Sequence, residues 1–173
     1  DVDRAKQQAD KYGIPGSGTV ADLLAHPGIE IVVNLTIPAA HVEVAMSVIE
    51  AGKSVWTEKP IGLDRDSART LVDAARDRGL RAATAPDTFL GPGLQTGKRL
   101  IAEGRIGTPL TALALFQASG PESWHPNPDF LYATGAGPLF DMGPYYITGL
   151  VNLLGPVRRV TGSTRATFPT RTI

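Results

Sequence analysis

The residues most able to do chemistry stand in four places. Trp56-Thr57-Glu58-Lys59-Pro60 sets a carboxylate beside an ammonium at the end of a short apolar stretch. Successive side chains of a strand point to opposite faces, so Glu58 and Lys59 must serve different surroundings, either in a ligand site or in a solvated loop. Thr36-Ile37-Pro38-Ala39-Ala40-His41 follows another apolar stretch and leads into a helical pattern; it is either ligand-facing or a plain turn with an exposed histidine. Asp141, Tyr145, Thr148 and Asn152 recur at i, i+4, i+7 and i+11, a polar stripe in an otherwise apolar segment. A carboxylate one turn from a phenol can serve as an acid/base pair, and an aspartate that caps its turn is the plainer alternative. Pro144 between them either kinks that helix or marks its true first turn. Trp124-His125-Pro126-Asn127-Pro128 and Asp129-Phe130-Leu131-Tyr132 form an aromatic loop that suits a substrate lid or an interface.

The elements that position these residues are legible from periodicity. Ile29–Leu35 is β-branched and mostly apolar, as in a strand buried on both faces of a parallel sheet. Val42, Ala45, Met46 and Ile49 then recur at helical spacing, and Ala51-Gly52 is a stop. Ser54–Thr57 reads as a second strand, Asp64–Arg78 as a helix with Ala68, Leu71, Val72 and Ala75 inward, and Leu80–Ala85 as a third strand. This alternation is that of right-handed βαβ units. Beyond Pro86 the pattern changes to a helix over Pro92–Glu103, a strand over Leu110–Ala118, a loop over Ser119–Thr134, a buried apolar helix ending near Leu154, and a strand over Val157–Thr167. A boundary near Thr88 divides the chain into residues 1–88 and 89–173. Ahead of Ile29 lie a helix over Asp3–Tyr12 and a helical turn near Val20–Leu24. Gly16-Ser17-Gly18-Thr19-Val20-Ala21 matches G-x-G-x-x-A as a string, but a helix end and a turn precede it where a phosphate loop requires a strand.

Composition narrows the function. The 173 residues carry 17 basic and 17 acidic side chains, and no Lys/Arg run concentrates a positive field, so neither nucleic acid nor a membrane surface is an expected partner. No apolar stretch approaches the roughly 20 residues of a spanning helix, and Asp1-Val2-Asp3-Arg4 does not resemble an export signal, so a cytoplasmic location is expected. With no cysteine, thiol nucleophiles, disulfide scaffolds and zinc knuckles are excluded, and no metal site is expected.

Taken in order, Thr36-Ile37-Pro38 with His41, Ala51-Gly52-Lys53-Ser54-Val55 ahead of Glu58-Lys59-Pro60, and Gly135-Ala136-Gly137-Pro138-Leu139-Phe140-Asp141-Met142-Gly143-Pro144-Tyr145 resemble the Gfo/Idh/MocA oxidoreductases, relatives of glucose-fructose oxidoreductase and inositol dehydrogenase. The resemblance covers essentially the whole chain. It implies an α/β fold, here an incomplete Rossmann-type doubly wound parallel sheet followed by part of an α+β substrate domain with an open sheet that often mediates homo-oligomerisation. It also implies hydride transfer between NAD or NADP and a carbinol carbon of a small sugar-like or polyol substrate. Lys59, Asp141 and Tyr145 would then be catalytic, with Tyr145 standing where many members carry a histidine. Thr36, Pro38, His41, Glu58, Lys59 and Pro60 would line the cofactor cleft, and the bond before Pro60 would be cis. Asp1 would meet the adenosine ribose, while Trp124, His125, Tyr145 and Thr148 would contact substrate. Thr148 replaces a frequent aspartate. The family's first strand, glycine loop and first helix would precede Asp1 and further strands would follow, so the chain is expected to be an internal piece, truncated at both ends and inactive alone, with Leu113, Leu115 and Ile147 on uncovered apolar surfaces. Two rival readings share the scaffold: a glycosidase that uses bound NAD transiently, and a non-catalytic binding or assembly protein.

Overall fold

The structure, a computed structural model, describes residues 1–172 and separates into two compact units, Asp1–Thr84 and a second that begins at Ala85. The separation falls just after Thr84, four positions ahead of Thr88.

In the first unit, α1 (Val2–Tyr12) and α2 (Val20–Ala25) precede an alternation of β1 (Ile31–Asn34), α3 (His41–Glu50), β2 (Ser54–Thr57), α4 (Arg65–Asp77) and β3 (Ala82–Thr84). The strands form one parallel sheet in the order β1-β2-β3, with Ile31 beside Ser54, Asn34 beside Thr57, and Thr57 beside Thr84. Parallel neighbours need a crossover, and α3 and α4 supply the two. α3 packs on β1, β2 and α4, and α4 packs on β3. Their inward faces meet the sheet in one core of Val32, Ala45, Val48, Ile49, Val55, Leu71 and Ala75. The helix ends follow local chemistry: Asp64 accepts a hydrogen bond from the Ser67 amide, and Gly13, at φ 65°, takes the left-handed turn that closes α1.

One expectation about this sheet is corrected. β1 is not buried on both faces: Val32 and Asn34 face the helices, whereas Ile31 and Val33 remain 62% and 59% exposed. Period-2 geometry sends alternate residues to opposite faces, and the core helices pack only where Val32 and Asn34 point.

The second unit contains α5 (Pro92–Ala102), α6 (Pro138–Asp141) and α7 (Gly143–Leu154), with 3-10 turns at Thr88–Leu90, Pro121–Ser123 and Asp129–Tyr132. α5, α7 and the Thr88–Leu90 turn pack together. Of the two readings open for Pro144, the structure shows the second: it lacks the amide a continuous helix would use, the chain forms two helices interrupted at Met142, and Pro144 occupies the first turn of α7. Two expectations fail here. α7 is not a buried helix: Gly149 is its one buried residue, and Ile147, Val151 and Leu154 are exposed. The strands expected over Leu110–Ala118 and Val157–Thr167, and with them the open sheet, do not form among the described residues. A strand is defined by its ladder partner, and neither segment has one.

Candidate active site

In a parallel sheet every strand delivers its carboxyl end to one edge, so β1 and β2 bring the Thr36 and Lys59 loops to the same side. Asn34, the last residue of β1, organises the first loop. Its Nδ2 donates to the His41 carbonyl at 3.1 Å, and its Oδ1 accepts from the Thr36 amide at 3.3 Å and the Thr36 hydroxyl at 2.8 Å. The second loop continues the ladder by one bond, from the Glu58 amide to the Asn34 carbonyl at 2.9 Å. The Glu58 carboxylate then folds back to accept from the Lys59 amide at 3.0 Å, and the Glu58 carbonyl accepts from the Thr84 hydroxyl at 3.3 Å. The Lys59–Pro60 bond is cis. Gly62 lets this loop approach the helices, since a Cβ there would stand 2.9 Å from Val42 Cγ2 and 3.2 Å from Ser67 Oγ.

The candidate cofactor residues do not share one environment. Thr36 is exposed, and Pro38, Glu58, Lys59 and Pro60 are half-buried. His41 is different. It is 1% exposed, with Nδ1 2.6 Å from the Pro60 carbonyl and Nε2 2.8 Å from the Thr36 carbonyl, so its ring joins the two loops from behind rather than lining an open surface. Asp1 caps α1 by accepting from the Arg4 amide at 3.0 Å. At the Gly16–Ala21 string, the start of α2 is closed by a capping box in which Thr19 and Asp22 satisfy each other's amides. The Thr19 hydrogen bonds hold the Asp22 carboxyl below its ordinary range. Sequence reasoning overlooked Asn34 and gave Lys53 no role. A polar residue closing an apolar strand was the available signal for Asn34.

In the second unit, Asp141 ends α6 and Tyr145 lies in the first turn of α7, both half-buried, as is Thr148. Asn152, the last member of the stripe, accepts from Lys98 Nζ at 2.9 Å and so ties α7 to α5. Trp124 is exposed and meets the His125 ring edge-on at 5.5 Å between centroids, and His125 meets Phe130 at 5.3 Å. His125 Nδ1 accepts from the Asn127 amide at 3.0 Å, which leaves Nε2 as the ring nitrogen that carries the hydrogen. A network that no sequence signal marked joins the same loop: Tyr132 donates to the Glu122 carboxylate, and Arg171 donates to Glu122 and to the Ser119 carbonyl. The Tyr132 hydrogen bond, with help from Arg171, lowers the Glu122 carboxyl. Among the described residues no group of three or more His, Asp or Glu side chains could hold a metal ion.

Comparison with known proteins agrees with this division. Residues 1–85 match the family model described as oxidoreductase family, NAD-binding Rossmann fold, and residues 94–172 match the GFO/IDH/MocA C-terminal domain. A trans-1,2-dihydrobenzene-1,2-diol dehydrogenase of Macaca fuscata fuscata is 31% identical over 156 residues, which are 90% of this chain and 46% of the relative. A 1,5-anhydro-D-fructose reductase of Ensifer adhaerens is 34% identical over 112 residues, 64% of this chain and 34% of the relative. Among solved structures, GenD2 from gentamicin A biosynthesis, in complex with NAD, superposes with a TM-score of 0.71 at 27% identity, covering 90% of this chain and 44% of that one. The chain thus spans just under half the length of the diol dehydrogenase and GenD2, and about a third of the reductase.

Proposed function

Since the chain belongs to the GFO/IDH/MocA oxidoreductases and its first unit carries their NAD-binding fold, we propose that the protein interconverts a secondary alcohol and a ketone on a small sugar-like, polyol or diol substrate, with NAD or NADP as the redox partner. The observation that carries this reading is the delivery of the Thr36 and Lys59 loops to one carboxyl edge of the parallel sheet. The donor set there fits a dinucleotide: an exposed threonine, a half-buried lysine, and loops held by their own internal hydrogen bonds. The names of the diol dehydrogenase and the anhydrofructose reductase support a vicinal-oxygen substrate.

When bound, the nicotinamide accepts or returns the pair of electrons with its hydrogen. The chain's own residues handle the proton and the charge. Tyr145 takes the hydroxyl proton in the oxidation direction, Lys59 stabilises the oxygen as it becomes negative, and Asp141 orients the hydroxyl. Thr36, Pro38, Glu58 and Pro60 shape the cofactor surface, and Asp1 belongs to the ribose end. Trp124 offers a ring face to the substrate, His125 offers its Nε2–H, Nδ1 being taken by the Asn127 amide, and Thr148 completes the substrate contacts. The enzyme works in the cytoplasm as a homo-oligomer.

The test uses the full-length protein with a panel of sugars, polyols and diols, NADH being followed by its near-ultraviolet absorbance and NAD affinity by calorimetry. Tyr145→Phe removes only the hydroxyl and Lys59→Met only the charge. Each is expected to lower kcat by about 10²–10⁴-fold, with a far smaller change in NAD affinity for Tyr145→Phe. Near-wild-type turnover of Tyr145→Phe would remove it from the proton path. Turnover without net NADH would favour the transient-oxidation glycosidase.

A further inference from the structure

We propose that His41 is a positioning residue that holds the Thr36 loop and the Lys59–Pro60 turn in register, touching neither cofactor nor substrate itself. The proposal rests on the dehydrogenase reading above for what the two loops do, and on geometry for how they are held. The ring is 1% exposed and lies between carbonyls from two separate loops, at 2.6 Å from Pro60 and 2.8 Å from Thr36. Carbonyl oxygens only accept, so a ring N–H is the donor wherever the ring hydrogen-bonds to either loop, and which nitrogen carries it depends on the tautomer. Asn34 closes the arrangement from the strand, holding the His41 carbonyl with its Nδ2 and the Thr36 amide and hydroxyl with its Oδ1.

A polar ring is costly to bury where an apolar residue of similar volume would fill the same space. The reward here is not general packing, because both ring contacts end on the backbone of residues at or beside the candidate site: Thr36 itself, and Pro60 directly after Lys59. Moving either carbonyl moves the group it precedes or follows. Misplacement of a reacting group by about 1 Å can cost on the order of 10²-fold in rate.

The two contacts can be removed separately, because the amide nitrogen of asparagine falls near the place of Nδ1 and that of glutamine near the place of Nε2. His41→Asn keeps a donor toward Pro60 and loses the reach to Thr36. His41→Gln keeps a donor toward Thr36 and releases Pro60. Amide hydrogen exchange of the ligand-free protein is expected to quicken in residues 35–40 for His41→Asn and in residues 58–62 for His41→Gln. In the full-length enzyme, His41→Asn should weaken NAD affinity by up to about tenfold with kcat nearly kept, whereas His41→Gln, which releases the turn bearing Lys59, should lower kcat by up to about tenfold along with any loss of NAD affinity. His41→Phe should lose both. If the Asn and Gln variants were indistinguishable in exchange and in the split between kcat and NAD affinity, His41 would be an ordinary core residue and the proposal would fall. A wild-type protein that bound no NAD and oxidised no alcohol would overturn the dehydrogenase reading instead, while the exchange pattern would still decide whether His41 braces the two loops.

Discussion

Three buried polar side chains of the first unit engage backbone carbonyls: Asn34, His41 and Lys53. Lys53 is 7% exposed and its Nζ donates to the carbonyls of His26 and Ile29, at 2.8 Å each. It lies just before β2 and fastens the turn that leads toward β1, at the strand starts rather than the strand ends. A carbonyl buried without a donor costs about 1–3 kcal/mol, and methionine would fill much of the same volume without donating. Lys53→Met is therefore expected to lower the unfolding free energy by about 2–3 kcal/mol in urea titration, with no specific effect on NAD affinity per folded molecule. An unchanged midpoint would show that water satisfies both carbonyls once the amine is gone.

At the scale of elements, helix starts are where side chain and backbone agree most closely. Asp64 accepts from the Ser67 amide at 2.8 Å and from the Ser67 hydroxyl at 2.8 Å, and the amide contact first, then the hydroxyl, hold its carboxyl below the ordinary value. The ionised form is thus favoured by folding. Its contribution is fully present above the unfolded carboxyl pKa of about 4 and is lost as the pH falls through the lowered folded value. Asp22 behaves alike through Thr19. Asp64→Ala should lower the thermal midpoint by a few degrees at pH 7, and the gap between variant and parent should close as the pH is taken below about 3. A gap that stayed constant across that range would mean the cap works through geometry and not through charge.

Over the whole chain, the first unit has a contiguous core, whereas the second leaves large aliphatic side chains in water. Leu113 is 82% and Val160 85% exposed, and Leu110, Leu115, Phe116 and Val157 are exposed with them. Exposed apolar segments of this extent bind hydrophobic dyes in the folded state. The 173-residue chain is expected to enhance anilinonaphthalene sulfonate fluorescence under native conditions, and Leu113→Lys with Val160→Lys should reduce that signal while leaving the far-ultraviolet circular dichroism unchanged. An equal signal from the double variant would place the dye elsewhere, the exposed Ile31, Val33 and Trp56 face of the sheet being the next surface. No helix among the described residues is long and apolar enough to cross a membrane.

Local chemistry alone determined most of what lies in the first unit. The β-branched run over Ile29–Leu35, the stripe of Ala68, Leu71 and Ala75, the aspartate before α4 and the glycine after α1 each act over a few residues, and the elements end within a residue or two of where those signals stand. Val72, expected inward with that stripe, is instead 44% exposed, because it stands one residue past Leu71 and so turns about 100° off the core-facing side. The motifs at Thr36–His41, Ala51–Pro60 and Gly135–Tyr145, taken in order, likewise pointed to the family whose models match residues 1–85 and 94–172. Only the tertiary structure decided three things. It placed His41 behind the loops, because the direction of a ring depends on carbonyls 5 and 19 residues away. It left one face of β1 in water, because burial belongs to the neighbours of a strand and not to the strand. And it left Leu110–Ala118 and Val157–Thr167 outside any sheet, because β-propensity describes a surface that fits a ladder, whereas the ladder itself needs a second strand.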